Sequence, residues 1–116
     1  MNVPDSKVPG QDVAIPLALH TWTLDSTPLD EALRIARAAG WNAVELRRVD
    51  FARAREAGRS DRNVIDAVQA SGLFTACVGG LAGWMTTTGE DYETLFAEFV
   101  QTCELDRKST RLNPVT

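Results

Sequence analysis

Four side chains in two apolar segments of the sequence could take part in chemistry. His20 and Trp22 end the segment IPLALHTW (residues 15–22), and Glu45 and Arg47 lie in NAVELRRV (residues 42–49). A histidine can carry a proton near neutral pH, and a carboxylate can accept a proton or a hydroxyl hydrogen bond. Because a buried carboxylate is costly unless it is paired or hydrogen-bonded, the place of Glu45 in an apolar segment needs an explanation.

The alternation of side chains along a strand predicts which of these groups lie together. In the second segment Val44 and Leu46 are the apolar pair and should face the helices. The alternate residues then share the opposite face: Ala43, Glu45 and Arg47. The first segment divides in the same way, with Ile15, Leu17 and Leu19 toward the helices and Ala18, His20 and Trp22 opposite. We therefore expect the four candidate side chains to meet near the C-terminal ends of the two strands.

Each candidate has a structural and a functional interpretation. Glu45 and Arg47 could form a structural ion pair, or they could hold a polyhydroxylated substrate or orient a metal-bound residue. His20 could carry a proton or be a hydrogen-bonded core residue. Trp22 and Trp84 suit the apolar face of a sugar ring, and they equally suit aromatic packing.

Two further segments carry candidate binding groups. Gly79 and Gly80 end the apolar segment 73–81 and would allow the close approach of a ligand, or only a bend in the chain. The arginine-rich run 47–59 could grip a phosphate. Because Asp50 and Glu56 are interleaved with the arginines, a solvated helical face is the favoured interpretation of this run.

The elements that would position these groups alternate along the chain. Short apolar segments at 13–24, 41–49 and 73–81 are predicted strands. Helices are predicted at 28–40, with Thr27 as N-cap and Gly40 as the C-terminal stop, at 63–72 and at 90–105. The segment 50–62 is a polar connection that could hold one helical turn. This order predicts right-handed βαβ units and a parallel sheet.

Two of the predicted helices carry an apolar stripe that we expect to be buried. The stripe of the first helix consists of Leu29, Ala32, Leu33, Ala36 and Ala39. The stripe of the last helix consists of Tyr92, Leu95, Phe96, Phe99, Val100 and Cys103.

Composition and charge exclude several classes of protein. A chain of 116 residues suits one domain, and its net charge of −4 argues against a partner with a phosphate backbone, which needs a basic face. Cys77 and Cys103 have no C-x-x-C spacing and sit among apolar residues, so we expect reduced core thiols. The polar segment 1–14 is typical of a flexible leader rather than a signal peptide. These features predict a soluble, cytoplasmic protein that binds neither nucleic acid nor membrane.

Two α/β architectures fit the alternating elements. A doubly wound nucleotide-binding fold needs a glycine-rich turn after its first strand. Here that turn is HTWTLDSTP (residues 20–28), and the later GGLAG (residues 79–83) lacks the required spacing. The other architecture is a (β/α)8 barrel, whose functional groups lie at the C-terminal ends of its strands.

The segment from residue 17 to residue 51, above all AAGWNAVEL (residues 38–46), resembles the start of the sugar phosphate isomerase/epimerase family. These are xylose-isomerase-like TIM barrels, which also include the type IV apurinic endonucleases. The likeness extends from about residue 15 to residue 105. It implies a barrel of roughly 250 residues, of which this chain would supply the first three βα units. It also implies a divalent metal in the complete protein, held by side chains of the second half of the barrel. None of those positions exists in this chain, so no metal ligand is assigned to it.

The last eleven residues raise a separate question. DRKSTRLN (residues 106–113) is identical to one reading frame of a widely used short-read sequencing adapter. The loss of one base after the Asn113 codon would give the Pro-Val-Thr that follows. We therefore expect residues 106–116 to be translated adapter joined to a truncated gene, and the alternative is a frayed, solvated end of the domain.

Together these observations predict a leader (1–14), a partial xylose-isomerase-like barrel (15–105) and a non-native tail (106–116). The complete protein is expected to be a metal-dependent sugar or sugar phosphate isomerase or epimerase that acts by proton transfer next to a carbonyl. The truncated chain is expected to be inactive. The predicted residues for binding a sugar or sugar-like acid are His20, Trp22, Glu45, Arg47 and Gly79. The alternatives are an apurinic-endonuclease-like barrel, which the acidic balance disfavours, and a chain without catalytic activity.

Overall fold

The computed structural model describes residues 15–80, 82–83 and 85–111. The predicted leader, Trp84 and residues 112–116 of the predicted tail lie outside the described residues. The elements in chain order are β1 (Ala18–His20), a 3-10 helix (Thr21–Leu24), α1 (Leu29–Ala38), β2 (Ala43–Leu46), α2 (Arg48–Glu56), α3 (Asp61–Ala70), β3 (Phe74–Val78) and α4 (Gly89–Thr110).

The three strands form a parallel sheet in the order β1-β2-β3, which confirms the predicted α/β class and parallel pairing. Parallel neighbours need a long crossover connection, and helices supply it here. The core lies on the face of the sheet that carries Val44, Leu46 and Val78, and all four α-helices contribute to it. The helix contributions are Leu33 and Ala36 from α1, Phe51 and Ala54 from α2, Val64, Ile65 and Val68 from α3, and Leu105 from α4. The opposite face of the sheet carries His20 and Glu45, whose side chains are each about a third exposed.

The boundaries of α1 and α3 follow from local signals. Gly40 has φ +93° and ends α1 as expected, because a residue with a side chain is strained in that conformation. The N-cap of α1 is Pro28 rather than the predicted Thr27, and Ala39 is exposed rather than buried. In α3 the Ser60 side chain accepts a hydrogen bond from the backbone N–H of Asn63 (3.1 Å), which caps the helix.

The segment predicted as a polar connection contains a complete helix, α2. The strand that was expected to continue to Val49 ends at Leu46, and Arg48 already begins the helix. Phe51, near the middle of α2, is fully buried in the core. The periodicity missed this helix because only two of its side chains, Phe51 and Ala54, are apolar and buried among many charged neighbours.

The prediction that Ile15 and Leu17 face the helix layer is wrong. Their exposed fractions are 74% and 59%, and only Leu19 of this group packs against the core. The reason is that β1 is an edge strand of three residues that begins at Ala18. Leu17 is joined to the fold through its backbone, whose carbonyl accepts hydrogen bonds from the N–H groups of Asn42 and Ala43.

The prediction that the apolar stripe of the last helix is buried is also wrong. Its large members Tyr92, Phe96, Phe99 and Val100 are 41–53% exposed, and Cys103, expected in the core, is exposed as well. The helix α4 instead buries Thr102, Leu105 and Ser109. Their burial is possible because the hydroxyls of Thr102 and Ser109 donate to carbonyls of the same helix, at 2.9 and 2.7 Å, and so are satisfied.

The helix α4 does not end at Leu105, where the predicted tail begins. It continues to Thr110, and Ser109 is almost completely buried. Asp106 accepts a hydrogen bond through Oδ1 from the backbone N–H of Val78 (2.8 Å), on the outer edge of β3. The origin of residues 106–116 stays a prediction, but part of this segment contacts the fold. No helix within the described residues is long and apolar enough to cross a membrane.

The contact between Asp106 and β3 leads to a testable prediction. Asp106→Ala should lower the free energy of unfolding by about 1.5 kcal/mol, because it leaves the edge N–H of Val78 without its charged acceptor. Asp106→Asn is the matched control, since it keeps the oxygen acceptor and should lose less than half as much. Chemical denaturation followed by circular dichroism measures both; equal stability of the two variants would show that the hydrogen bond contributes nothing.

Candidate functional site

A row of three polar side chains lies at the C-terminal ends of the strands. The register places His20 beside Glu45 and Glu45 beside Cys77. The Nε2 atom of His20 is 3.9 Å from Oε1 of Glu45, and about a third of each of these two side chains is exposed. Alternation along the strands predicted that His20 and Glu45 would meet, and the structure brings them together on the face opposite the core.

An irregularity in β3 brings Cys77 into this row. The pairing of β2 with β3 shifts between Val44 and Glu45, so that Val44 pairs with Thr75 but Glu45 pairs with Cys77. One residue, Ala76, is left over, as in a β-bulge. Without that extra residue the strict alternation of β3 would place Thr75 and Cys77 on one face, and the sequence carries no clear signal for the bulge.

The orientation of the His20 ring is fixed by a backbone contact. The backbone N–H of Trp22 donates to Nδ1 of His20 at 3.1 Å. Since Nδ1 accepts this hydrogen bond, the proton of the neutral ring resides on Nε2, the nitrogen that faces Glu45. At 3.9 Å the two groups are too far apart for a direct hydrogen bond, so each retains capacity to bind a ligand hydroxyl.

Trp22 lies next to the row but outside the sheet. It belongs to the 3-10 helix that follows β1, and its side chain is 70% exposed. The centroid of its ring is 6.4 Å from that of His20, with the planes tilted by 47°. An exposed indole beside a polar pair offers an apolar face to a sugar ring, and packing within the core does not explain its position.

Arg47 does not join Glu45, and the predicted ion pair between them is not formed. Because β2 ends at Leu46, Arg47 is the N-cap of α2 and no longer follows the alternation of the strand. Its Nη1 donates to Oδ1 of Asp25 (2.7 Å), and its Nε donates to Oγ1 of Thr21 (2.9 Å). The hydrogen bond from Arg47 lowers the pKa of Asp25, with further lowering from the charges of Arg47 and Arg53.

Asp50, which the sequence placed on a solvated helical face, is buried instead and completes this network. Its Oδ2 accepts hydrogen bonds from the Thr21 hydroxyl (2.6 Å) and from the backbone N–H of Arg47 (2.8 Å). Both Thr21 and Asp50 are buried. The network therefore ties the end of β1 to the start of α2. The available signal was an acid three residues after the N-cap, which is the position of a capping box.

Gly79 adjoins the carboxylate of Glu45. Its backbone N–H donates to the carbonyl of Leu46 at 2.7 Å. A Cβ added at Gly79 would lie 3.6 Å from Oε1 of Glu45, which is an ordinary contact distance. A larger side chain would cover the carboxylate, so the glycine keeps Glu45 accessible.

The thiol of Cys77 stays protonated at neutral pH. Burial raises its pKa to about 11, and the charge of Glu45, a hydrogen bond with Glu45 and the charge of Asp106 contribute in the same direction.

The divalent metal implied by the family resemblance does not fit these residues. Among the described residues, no group of three or more His, Cys, Asp or Glu side chains is arranged to hold a metal ion. Within the row, Nδ1 of His20 accepts a hydrogen bond from the backbone N–H of Trp22 and is not free to bind a metal. We therefore assign no chemical step of this chain to a metal.

Three clefts in the described part of the chain are lined by residues other than those of the row. One of about 580 Å³ lies between α2 and α4 and is lined by Arg48, Arg55, Asp61, Glu104, Leu105 and neighbouring residues. Its arginines are already paired, Arg48 with Glu98 and Arg55 with Asp61. All five arginines of residues 47–59 form ion pairs with acidic side chains, which disfavours the phosphate grip. The predicted solvated face is found at Arg53 and Arg55, which are about half exposed, but not at Asp50, which is buried.

The buried network should have a large effect on stability. Asp50→Ala should lower the free energy of unfolding by about 3 kcal/mol, since it leaves the Thr21 hydroxyl and the Arg47 N–H without an acceptor. Asp66→Ala is the control, because Asp66 forms only an exposed pair with Arg62 and should cost at most about 0.5 kcal/mol. Urea denaturation measures both variants, and similar losses would contradict a structural role for the network.

Removing the charge of Glu45 should change the reactivity of the Cys77 thiol. In a Cys103→Ser background, alkylation at pH 9 should be several-fold faster in Glu45→Gln than in the parent, because loss of the carboxylate lowers the pKa of Cys77 toward its ordinary value. The raised pKa of Cys77 also makes the stability of the fold depend on pH. Because the folded state favours the thiol over the thiolate, the raised pKa stabilises the fold below pH 9.0. This stabilisation is lost as the pH rises through about 11. Glu56→Gln, at an exposed position of α2, is the control. Equal alkylation rates in all three proteins would contradict the contact.

Comparison with known proteins identifies no family for this chain, because no family model, curated protein or solved structure matches it.

Proposed function

We propose that this chain forms the first three βα units of a metal-dependent sugar or sugar phosphate isomerase or epimerase with a TIM-barrel fold, and that it contributes the part of the site that holds substrate hydroxyl groups. The observation that carries the proposal is the row of His20 and Glu45 at the C-terminal ends of parallel strands, on the face left open by the helices. Barrel enzymes place their functional groups at this end of the strands. The resemblance around residues 38–46 supports the same interpretation.

The chemistry assigned to these residues is binding and orientation. Glu45 accepts hydrogen bonds from vicinal hydroxyls, and Nε2–H of His20 donates one to a substrate oxygen. Trp22 packs against the C–H face of the ring, and Gly79 leaves space in front of the carboxylate. Fixing a sugar by two polar groups and one aromatic ring is what an isomerase requires of its substrate before a proton is moved next to the carbonyl.

The charges favour hydroxyl groups over phosphate at this end of the substrate. Glu45 and Asp106 place two negative charges near Cys77. The arginines of residues 47–59 are neutralised by acidic partners. A phosphate group, if the substrate carries one, would therefore bind away from this row. The pairing of these arginines with acidic side chains also disfavours the apurinic-endonuclease alternative, because binding a DNA backbone needs unpaired cations.

The alternative to this function is that the chain has no catalytic activity of its own. The observation in its favour is that the described residues line only one wall of the site, and the row remains open to solvent. We therefore expect the chain to bind a sugar weakly and not to convert it.

Sugar binding can be tested through His20, the only histidine of the chain. Titration with a free ketose or aldose should shift the His20 ring signals in a two-dimensional NMR spectrum, with a dissociation constant on the order of 10 mM, as suits two or three hydrogen bonds. Glu45→Gln should weaken this binding about tenfold, whereas Glu56→Gln should leave it unchanged. The same samples with added Mg²⁺ or Mn²⁺ should show no interconversion of aldose and ketose.

Two results would contradict the proposal. The absence of any His20 shift at about 100 mM sugar would remove the assigned binding role. Turnover by this chain alone would show that the site is more complete than its one wall suggests.

A further inference from the structure

The indole of Trp22 stands beside the candidate site with little support from the core. Its side chain is 70% exposed, so its position depends on the backbone of the 3-10 helix that carries it. In this helix the N–H of Trp22 donates to Nδ1 of His20 (3.1 Å), and its carbonyl accepts from the N–H of Asp25 (3.2 Å). A helix of one turn has little stability of its own. Contacts with a neighbouring element must therefore hold it.

One arginine binds both ends of the 3-10 helix. Arg47, the N-cap of α2, donates through Nε to the hydroxyl of Thr21, the first residue of the 3-10 helix (2.9 Å). Through Nη1 it donates to Oδ1 of Asp25, the C-cap (2.7 Å). The Arg47 side chain is only 17% exposed. Because both contacts come from one planar guanidinium, they fix the two ends of the helix relative to each other and to α2.

A second arginine of α2 also binds Asp25. Nη1 of Arg53 donates to the backbone carbonyl of Asp25 (3.0 Å), and its two Nη atoms lie 3.3 Å from Oδ1. The side chain of Asp25 is nevertheless almost half exposed. Exposed ion pairs contribute little to the stability of a fold, so these contacts are better suited to fixing one short helix than to holding the domain together.

We infer that Asp25 is a positioning residue that, through Arg47 and Arg53, holds the 3-10 helix so that Trp22 stands beside His20. It acts through the backbone of that helix and not on a ligand. The inference rests on the proposed function only in giving Trp22 the role of a face for a sugar ring. The placement of Trp22 next to His20 can be measured without a ligand.

The ligand-free chain provides the first test. The ring of Trp22, whose centroid is 6.4 Å from that of His20, should shift the His20 ring signals in an NMR spectrum, and Trp22→Ala should remove this shift. Asp25→Ala should move the signals most of the way toward their positions in Trp22→Ala, because the helix is no longer held at its end. Asp25→Asn keeps an oxygen that accepts from Arg47 and should move them less than half as far. Asp66→Ala, at an exposed position of α3, is the control and should leave them unchanged.

Sugar binding provides the second test, with the same free ketose or aldose as probe. Trp22→Ala should weaken binding about fivefold through the loss of the aromatic face, and Asp25→Ala should weaken it about threefold through its displacement. The double variant Trp22→Ala/Asp25→Ala should bind as Trp22→Ala does, because no indole is left to position. Losses that multiply in the double variant would show that Asp25 acts independently of Trp22 and would overturn the inference.

Unfolding in urea separates positioning from a general structural role. Asp25→Ala should unfold at nearly the same urea concentration as the parent, since its ion pairs are exposed. A fall in the midpoint as large as that of Asp50→Ala would show that Asp25 stabilises the whole fold, and this too would overturn the inference.

The inference and the proposed function fail in different ways. If the parent binds no sugar, or if Trp22→Ala binds sugar as the parent does, the proposed role of Trp22 is lost, and the ligand-free His20 signals still decide the role of Asp25. If Asp25→Ala leaves those signals and the sugar affinity as they are in the parent, the inference is overturned and the proposed function is unaffected.

Discussion

The structure around the candidate site depends on one buried carboxylate. Asp50 accepts hydrogen bonds from the Thr21 hydroxyl and the Arg47 N–H, while the Arg47 side chain reaches back to Thr21 and Asp25. These contacts join the residue that follows β1 to the first turn of α2. They fix where two parallel strands end, and those ends determine where His20 and Glu45 stand. A fully satisfied polar network of this kind can be buried, and it specifies one arrangement of the chain.

A second constraint is that the core lies on one face of the sheet. The helices cover Val44, Leu46 and Val78, so the row of His20, Glu45 and Cys77 is left on the open face. The helix α4 packs on the fold through Thr102, Leu105 and Ser109. Its aromatic side chains lie on a different face of the helix and are about half exposed.

Much of the fold could be predicted from the sequence, for identifiable reasons. Val44 and Leu46 alternate with Glu45, and this alternation located the core face of β2 and the pairing of Glu45 with His20. Gly40 located the end of α1, because a positive φ favours glycine. The prediction failed for α2, where Phe51 and Ala54 are the only buried apolar residues among many charged ones. It failed for Arg47 as well, since alternation applies only within a strand and β2 ends one residue earlier.

The sequence by itself determined the α/β class, the parallel pairing and the two residues at the centre of the candidate site, because these depend on local periodicity and on the alternation of side chains. Only the tertiary structure decided which partner each charged group takes and which face of α4 is buried. Asp50 accepts hydrogen bonds from Thr21, 29 residues away in the sequence, and from Arg47, 3 residues away. Asp25 pairs with Arg47 across 22 residues, and separation along the chain does not predict such partners. The stripe of α4 is apolar enough for a core position. It is exposed because burial depends on the surface that a neighbouring element offers, and periodicity does not contain that information.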